Sequence, residues 1–260
     1  MLFWNANPIL IQLGPIAVHW YGALFAAGFL LGYQLMQRIY RQEGRPTEQL
    51  DKLLTYIFIG TVVGARLAHT LIYEPEYYLA HPIDILKIWE GGLASHGGGI
   101  GVLLAIWLFV RQHPENRFLW LADRLAIPTA LTGCFIRLGN FMNSEIIGNP
   151  TDGSWGVVFE RIDNLPRHPV QLYEAACYFV AFVLLFLLFR GNKSKQPGFL
   201  FGLFLVLIFS ARFALEFFKT PQAAYEAGNL ITVGQWLSVP FVIVGVLLIV
   251  KNRKMQTRFK

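Results

Sequence analysis

The chain has 260 residues, of which 55% are hydrophobic and only 15% charged, and its mean hydropathy is +0.45. Soluble domains carry roughly 25% charged residues, so the composition points away from a soluble globular protein and towards one compact polytopic membrane unit covering residues 1–260. The formal net charge of +6 does not indicate a nucleic-acid partner, because the basic residues gather at the ends of apolar segments and form no separate basic domain.

Residues 1–15 contain no Lys or Arg. They lack the positive region of a secretory signal, and no cleavage is expected. A helix needs about 20 apolar residues to cross the hydrocarbon core. Seven such spans are predicted, at about 16–37, 51–73, 93–111, 120–140, 170–190, 198–218 and 232–250. The first opens with His19-Trp20-Tyr21-Gly22, where His19 and Trp20 read as an interfacial anchor. The second carries Gly64-Ala-Arg66 and His69. The third opens with Ser95-His96-Gly97-Gly98, and its small residues allow close helix packing. The fourth begins near Asp123, read as a helix-start residue, and ends with Arg137 and Asn140. A long loop, about 141–168, follows; its length marks it as functional or disordered, and Trp155 and Phe159 favour an ordered element lying at the interface. Glu174, shortly after Pro169, reads as a carboxylate answering the dipole of the fifth helix, with a place beside the buried arginines, in support of the site, as the alternative. The sixth span holds Arg212 and Glu216, four apart and able to pair on one helix face. Cys134 and Cys177 both fall inside apolar segments and read as packing residues, neither disulfide framework nor metal site.

The distribution of positive charge predicts the orientation. Fifteen Lys and Arg residues flank one set of span ends, from Arg38 to Lys52, Arg111 to Arg124, Arg190 to Lys195 and Lys251 to Lys260. The opposite set holds five: Lys87, Arg137, Arg161, Arg167 and Lys219. The first set is expected to be cytoplasmic, which puts the N-terminus outside, the C-terminus inside, and the 141–168 loop on the outer face.

The segment Arg137-Leu-Gly139-Asn140-Phe141-Met-Asn143-Ser-Glu145-Ile-Ile-Gly148 concentrates polar chemistry at the end of an apolar span. A charge at membrane depth costs about 2.5–3.5 kcal/mol even on lenient scales, so such a cluster is expected to bind or do something. Arginine forks bind phosphate in bidentate fashion, and Arg66, Arg137 and Arg212 together suit an anionic lipid headgroup. His96 is the side chain best placed to exchange a proton near neutral pH, against the alternative of a hydrogen-bonded packing histidine. Residue chemistry alone stops there. A secondary transporter also places charges near the midplane, although no related halves are visible, and a non-catalytic assembly subunit would explain the charges as structural ion pairs but leave Asn140 and Asn143 surplus.

The same residues resemble a known family, the bacterial prolipoprotein diacylglyceryl transferases. Its signature, Gly-Arg-x-(Gly/Ala)-Asn-Phe-x-Asn-x-Glu-x-x-Gly, is matched from Arg137 to Gly148. Flanking pieces also look like the family and occur in its order: His19-Trp-Tyr21-Gly22; Gly64-Ala-Arg66; Trp89-Glu-Gly91-Gly92-Leu-Ala-Ser-His96-Gly97-Gly98; Arg167-His168-Pro169-Val-Gln171-Leu-Tyr173-Glu174; and Arg212-Phe-Ala-Leu-Glu216. The chain departs from the pattern at Ile136, where glycine is usual, at Ile208, which is tyrosine in some members, and at Lys219-Thr-Pro221-Gln222, where Arg-x-Pro-Asp is common.

The resemblance implies an all-α polytopic enzyme of the bacterial inner membrane. It would move a diacylglyceryl group from phosphatidylglycerol to the lipobox cysteine in the signal peptide of a prolipoprotein, forming a thioether and releasing glycerol phosphate. No cofactor and no metal are implied. The expected catalytic residues are His96 as proton acceptor, and Arg137, Arg212 and Glu145. Tyr21, Asn140, Asn143, Gly148, Glu216 and Arg66 are expected to bind substrate or to position those that do.

Overall fold

The computed structural model describes residues 1–14, 16–87, 92, 94–191, 196–220 and 231–257, with main chain alone for 16, 95, 96 and 252–257. Gln222, one of the departures from the family pattern, and Trp89 to Gly91 lie outside the described residues. Eight α-helices are present among those described: α1 Trp20–Gln42, α2 Glu48–Ala68, α3 Pro75–Ala80, α4 Ser95–Gln112, α5 Phe118–Met142, α6 Val170–Arg190, α7 Phe199–Leu215 and α8 Val233–Thr257. Among the described residues, five helical stretches are long and apolar enough to cross a membrane: Glu48–Tyr73, Phe118–Met142, Val170–Arg190, Phe199–Phe218 and Val233–Lys251. The chain is thus predominantly helical, with the makings of a multi-pass membrane protein. The two remaining predicted spans coincide with α1 and α4, of 23 and 18 residues.

The sequence reading did not anticipate five short strands. They are β1 Leu2–Trp4, β2 Ile9–Leu13, β3 Ile16–His19, β4 Val157–Phe159 and β5 Pro166–Arg167. The first predicted span therefore starts late: residues 16–19 pair antiparallel with β2 across a turn where Gly14 has φ +60°, and the helix begins at Trp20. Ile16 and Val18 are β-branched and suit an extended chain.

The chain divides into two compact units, Gln37–Ala122 and the remainder, Met1–Met36 with Asp123–Lys260. In the smaller unit, α2 and α4 pack along two glycine pairs four residues apart, Gly60 and Gly64 against Gly97 and Gly101. A Cβ on Gly101 would collide with the carbonyl of Gly60, and one on Gly97 with the carbonyl of Gly64. Small residues at this spacing let two backbones touch, which is how apolar helices associate where no hydrophobic gain separates helix from lipid. The second helix leaves the α-register at its end, continuing as a π-turn over His69–Tyr73.

In the larger unit, β1 runs parallel to β4, and β4 pairs antiparallel with β5. The 141–168 segment is therefore ordered, as expected, although Phe159 is not at an interface. It is fully buried with Val157 and Phe141, and Trp4 packs on this cluster while donating from Nε1 to the carbonyl of Phe141 at 3.2 Å. Asp123 does not start its own helix, which begins at Phe118. Its buried carboxylate instead accepts from the backbone amides of Gly198 (2.7 Å) and Phe201 (2.8 Å), capping α7 at the positive end of its dipole.

Candidate active site

The signature segment begins in the last turns of α5, where Arg137 and Asn140 lie one turn apart and Arg137 Nη1 donates to Asn140 Oδ1 at 3.3 Å. The helix ends at Met142, and the chain turns sharply. Ser144 (φ 57°) and Ile146 (φ 54°) both adopt the left-handed conformation, which is disfavoured for any residue with a Cβ and especially for a β-branched one. Between them sits Glu145, exposed, with its carboxylate taken from both sides: Asn140 Nδ2 donates to Oε2 (3.2 Å) and Asn143 Nδ2 to Oε1 (3.1 Å). The strained turn is what points this carboxylate back at the helix that carries Arg137, and strain of this kind gathers at functional sites.

Two other segments brace the turn. Gly148 donates its amide to the carbonyl of His168 (3.1 Å), and a Cβ there would collide with that carbonyl. Its own carbonyl accepts from Arg167 Nη1 (3.1 Å) and Thr220 Oγ1 (3.0 Å), while the amide of Thr220 donates to the carbonyl of Ile147 (3.2 Å). Arg167 is itself held by Asp163, in a bidentate ion pair formed by Nε and Nη2. That guanidinium holds the Asp163 carboxyl below the usual carboxylate range.

Behind the signature lies a line of alternating charge. Arg137 Nε is 3.0 Å from Oε2 of Glu174, which is fully buried. Oε1 of Glu174 is 3.0 Å from Lys219 Nζ, and the same ammonium is 3.0 Å from Glu216 Oε2. Glu216 thus pairs with Lys219. Arg212, four residues before it, lies within the fields of Tyr178, Glu174 and Glu216. Glu216 also faces the first turn of α8, where a Cβ on Gly234 would lie 2.9 Å from its Oε1. Tyr21 packs against Gly139, and its hydroxyl lies within electrostatic reach of Glu145 and Arg137.

Of the residues expected at the site, Tyr21, Arg137, Asn140, Asn143, Glu145, Gly148, Arg212 and Glu216 belong to one unit, and all but Arg212 join through the contacts just described. Arg66 belongs to the other unit. It is buried and donates from Nε to the carbonyl of Ile85 (2.8 Å), from Nη1 to that of Gly92 (3.2 Å) and from Nη2 to that of Asp84 (2.5 Å), beneath the ring of Tyr78. It therefore ties Asp84, Ile85 and Gly92 to α2. His96 stands in the first turn of α4, but its side chain lies outside the described residues.

Two participants were not expected at the site, whereas Glu174 takes the place behind the arginines that was open to it. Lys219 reads in the sequence as an ordinary flanking charge. Gln171, fully buried, donates from Nε2 to the main-chain carbonyl of Glu145 at 2.6 Å. The signal for Gln171 was the run Gln171-Leu-Tyr173-Glu174, which puts two polar groups on an apolar helix within one turn; Lys219 had none.

A family model described as prolipoprotein diacylglyceryl transferase matches residues 8–251. The chain belongs to the prolipoprotein diacylglyceryl transferase family. It is 88% identical over 258 residues to a phosphatidylglycerol–prolipoprotein diacylglyceryl transferase of Tolumonas auensis, covering 99% of this chain and 100% of that one. Relatives of the same name in Chloroherpeton thalassium (51% identical, 97% and 95% covered) and Bacteroides fragilis (43% identical, 94% and 92% covered) extend the family across more distant sequences.

Proposed function

We propose that this chain transfers the diacylglyceryl group of phosphatidylglycerol to the cysteine thiol of a prolipoprotein lipobox. The sulfur forms a C–S bond to the glyceryl carbon, the C–O bond to phosphate breaks, and glycerol phosphate leaves with the electron pair. The observation that carries this reading is the braced Arg137–Asn140–Glu145 arrangement in a chain of this family. Phosphate needs cations and hydroxyls need acceptors. Arg137 and Arg212 supply the cations, and they stabilise both the departing phosphate and the attacking thiolate. Glu145, Asn140 and Asn143 accept and donate to the headgroup glycerol, Tyr21 contacts phosphate or glycerol, and Glu216 orients the cations. Gly148 lets the outer loop close against the 166–168 segment. A free thiol has a pKa of about 8.5 and must lose its proton to react; His96 is assigned to receive it, on the helix after Gly92, whose carbonyl Arg66 holds.

The same reading makes the chain one integral domain of the bacterial cytoplasmic membrane with seven crossings, the N-terminus outside and the C-terminus inside. The bounds of α1 and α4 and the charge asymmetry of the span ends support it. Reporters fused after residue 114 and after residue 163 should report opposite sides, and the same side for both would overturn the orientation.

The central test is transfer of labelled glyceryl from phosphatidylglycerol to lipobox peptides carrying Cys or Ser, by the purified protein in detergent. Label on the Cys peptide alone, with glycerol phosphate released and activity lost in Arg137→Ala, is expected. Wild-type transfer by Arg137→Ala would remove the central assignment. No label with folded wild-type protein, together with anion uptake into vesicles, would favour a transporter.

A further inference from the structure

We propose that Lys219 sets the charge available to the donor phosphate, acting as a positioning residue through Glu174 and Glu216 on the two arginines. The inference rests on the transfer reaction proposed above and assigns a residue to which that reading gave no role.

The argument starts from Glu174. A carboxylate with no exposed surface must be paired, since burying a lone charge costs several kcal/mol. Its two oxygens take different cations, Arg137 on one and Lys219 on the other, each at 3.0 Å. Lys219 then takes a second carboxylate, Glu216, at 3.0 Å. Arg137, Glu174, Lys219 and Glu216 thus form a line with formal charges +1, −1, +1 and −1, which sums to zero. Removing the ammonium makes the line −1. Glu174 would then neutralise Arg137 alone, and the field of Glu216, no longer shared with Lys219, would fall on Arg212, the other cation assigned to the phosphate. The site would present an anionic lipid with two arginines, each matched by its own carboxylate.

Lys219 is built to act in this way rather than to touch the lipid. Its side chain is only 7% exposed. Its main chain is fixed by a β-bridge to Gly148 and by a hydrogen bond that its amide donates to the carbonyl of Glu216 at 3.1 Å. The ammonium is thereby held between the two carboxylates, and a purely structural ion pair would need only one of them.

The experiment measures KM for phosphatidylglycerol and kcat, at saturating Cys lipobox peptide, together with thermal unfolding in the same detergent. The proteins are wild type, Lys219→Met, Lys219→Arg and the double variant Glu174→Gln with Lys219→Met. Lys219→Met should raise KM about tenfold or more with a smaller change in kcat, the effect of one unit charge at about 10 Å in an effective dielectric of about 20. Lys219→Arg should retain most of the lost affinity. The double variant restores the net charge of the line and should bring KM back to within about threefold of wild type. An unchanged KM in folded Lys219→Met, or a double variant no better than the single one, overturns the inference. If Lys219→Met does not fold, the double variant decides alone, since a KM about tenfold above wild type there is incompatible with a charge-setting role. Failure of wild type to form any thioether would reject the transfer reaction itself, a result distinguishable from either of these.

Discussion

Gln171 reaches from the first turn of α6 to the main-chain carbonyl of Glu145, at 2.6 Å. This one bond ties the strained turn to a helix whose next turn carries Glu174. The carboxylate facing the site and the carboxylate behind Arg137 are therefore positioned by the same helix. Left-handed conformations at Ser144 and Ile146 persist only where surrounding structure over-determines them, and Gln171 is part of that determination.

Gln171→Leu should relax the turn. The carbonyl of Glu145 would lose its donor in a confined place, a cost of about 1–3 kcal/mol. Thermal unfolding should fall by a few degrees, and kcat/KM for lipid should fall more than stability does, because Glu145 no longer points at Asn140 and Asn143. Unaltered kinetics in a folded Gln171→Leu protein would show that the turn holds its shape without this bond.

The Asp163–Arg167 pair gives the 141–168 segment a pH dependence whose sign is fixed. Arg167 holds the folded-state carboxyl below its unfolded value of about 3.9. Its contribution to stability is therefore fully present above that unfolded pKa, and is lost as pH falls through the depressed folded one. Asp163→Asn should be less stable than wild type from neutral pH down to about pH 5, and the difference should shrink below about pH 4. Thermal unfolding across that range in one detergent reads it. A gap that stays constant down to pH 2 would mean that the carboxylate charge contributes nothing.

These relationships differ in how far the sequence reveals them. Arg137, Asn140, Asn143 and Glu145 are legible because polar residues at the end of an apolar span are costly and stand out. The span positions are legible from hydropathy: β-branched residues at 16 and 18 delay α1, whereas the π-turn after α2 carries that helical stretch to Tyr73, where the predicted span ends. What stays hidden is nonlocal. Nothing in Leu2-Phe-Trp4 announces a partner at Val157 to Phe159, and nothing near Asp123 announces the helix start at Phe199. Arg212 and Glu216 have the spacing of a helical pair, yet Lys219, three residues beyond, is the ammonium that Glu216 meets. A basic residue at a span end looks like a flanking charge, and only the fold brings it to Glu174.

Arg66 makes a separate case for geometry over charge. Its three guanidinium nitrogens each reach a different main-chain carbonyl, those of Ile85, Asp84 and Gly92. A lysine keeps the charge but cannot span three acceptors set around a plane. Arg66→Lys should lower stability by about 1–3 kcal/mol through carbonyls left without donors. It should also raise amide exchange at residues 84–87, 92 and 94 while leaving exchange in α6 and α7 as in wild type. If Arg66 instead served the lipid as a bare cation, lysine would preserve both protection and much of the activity.

Gly148 is where the 166–168 segment closely approaches the end of the signature, and a methyl group tests that closeness directly. Its φ is not positive, so alanine is allowed by the backbone. The obstacle is the His168 carbonyl, which accepts the amide of Gly148 and occupies the space a Cβ would need; His168 Cβ at 2.6 Å and Val170 Cγ2 at 2.7 Å close off the alternatives. Main chain cannot swing aside as a flexible side chain does, so Gly148→Ala must push the 166–168 segment outward. That would weaken the bonds from Arg167 and Thr220 to the Gly148 carbonyl and loosen Lys219, whose backbone bridges to the same residue. Overpacking of this kind costs about 1–3 kcal/mol, too little to prevent insertion of the long apolar helices. The expected outcome is normal membrane insertion, a modest loss of thermal stability and a drop of about tenfold or more in kcat/KM, since displacements of about 1 Å at a reacting site can cost a hundredfold. Full activity with intact packing of the 166–168 segment, read by amide exchange, would mean that the close approach at Gly148 is not needed for transfer.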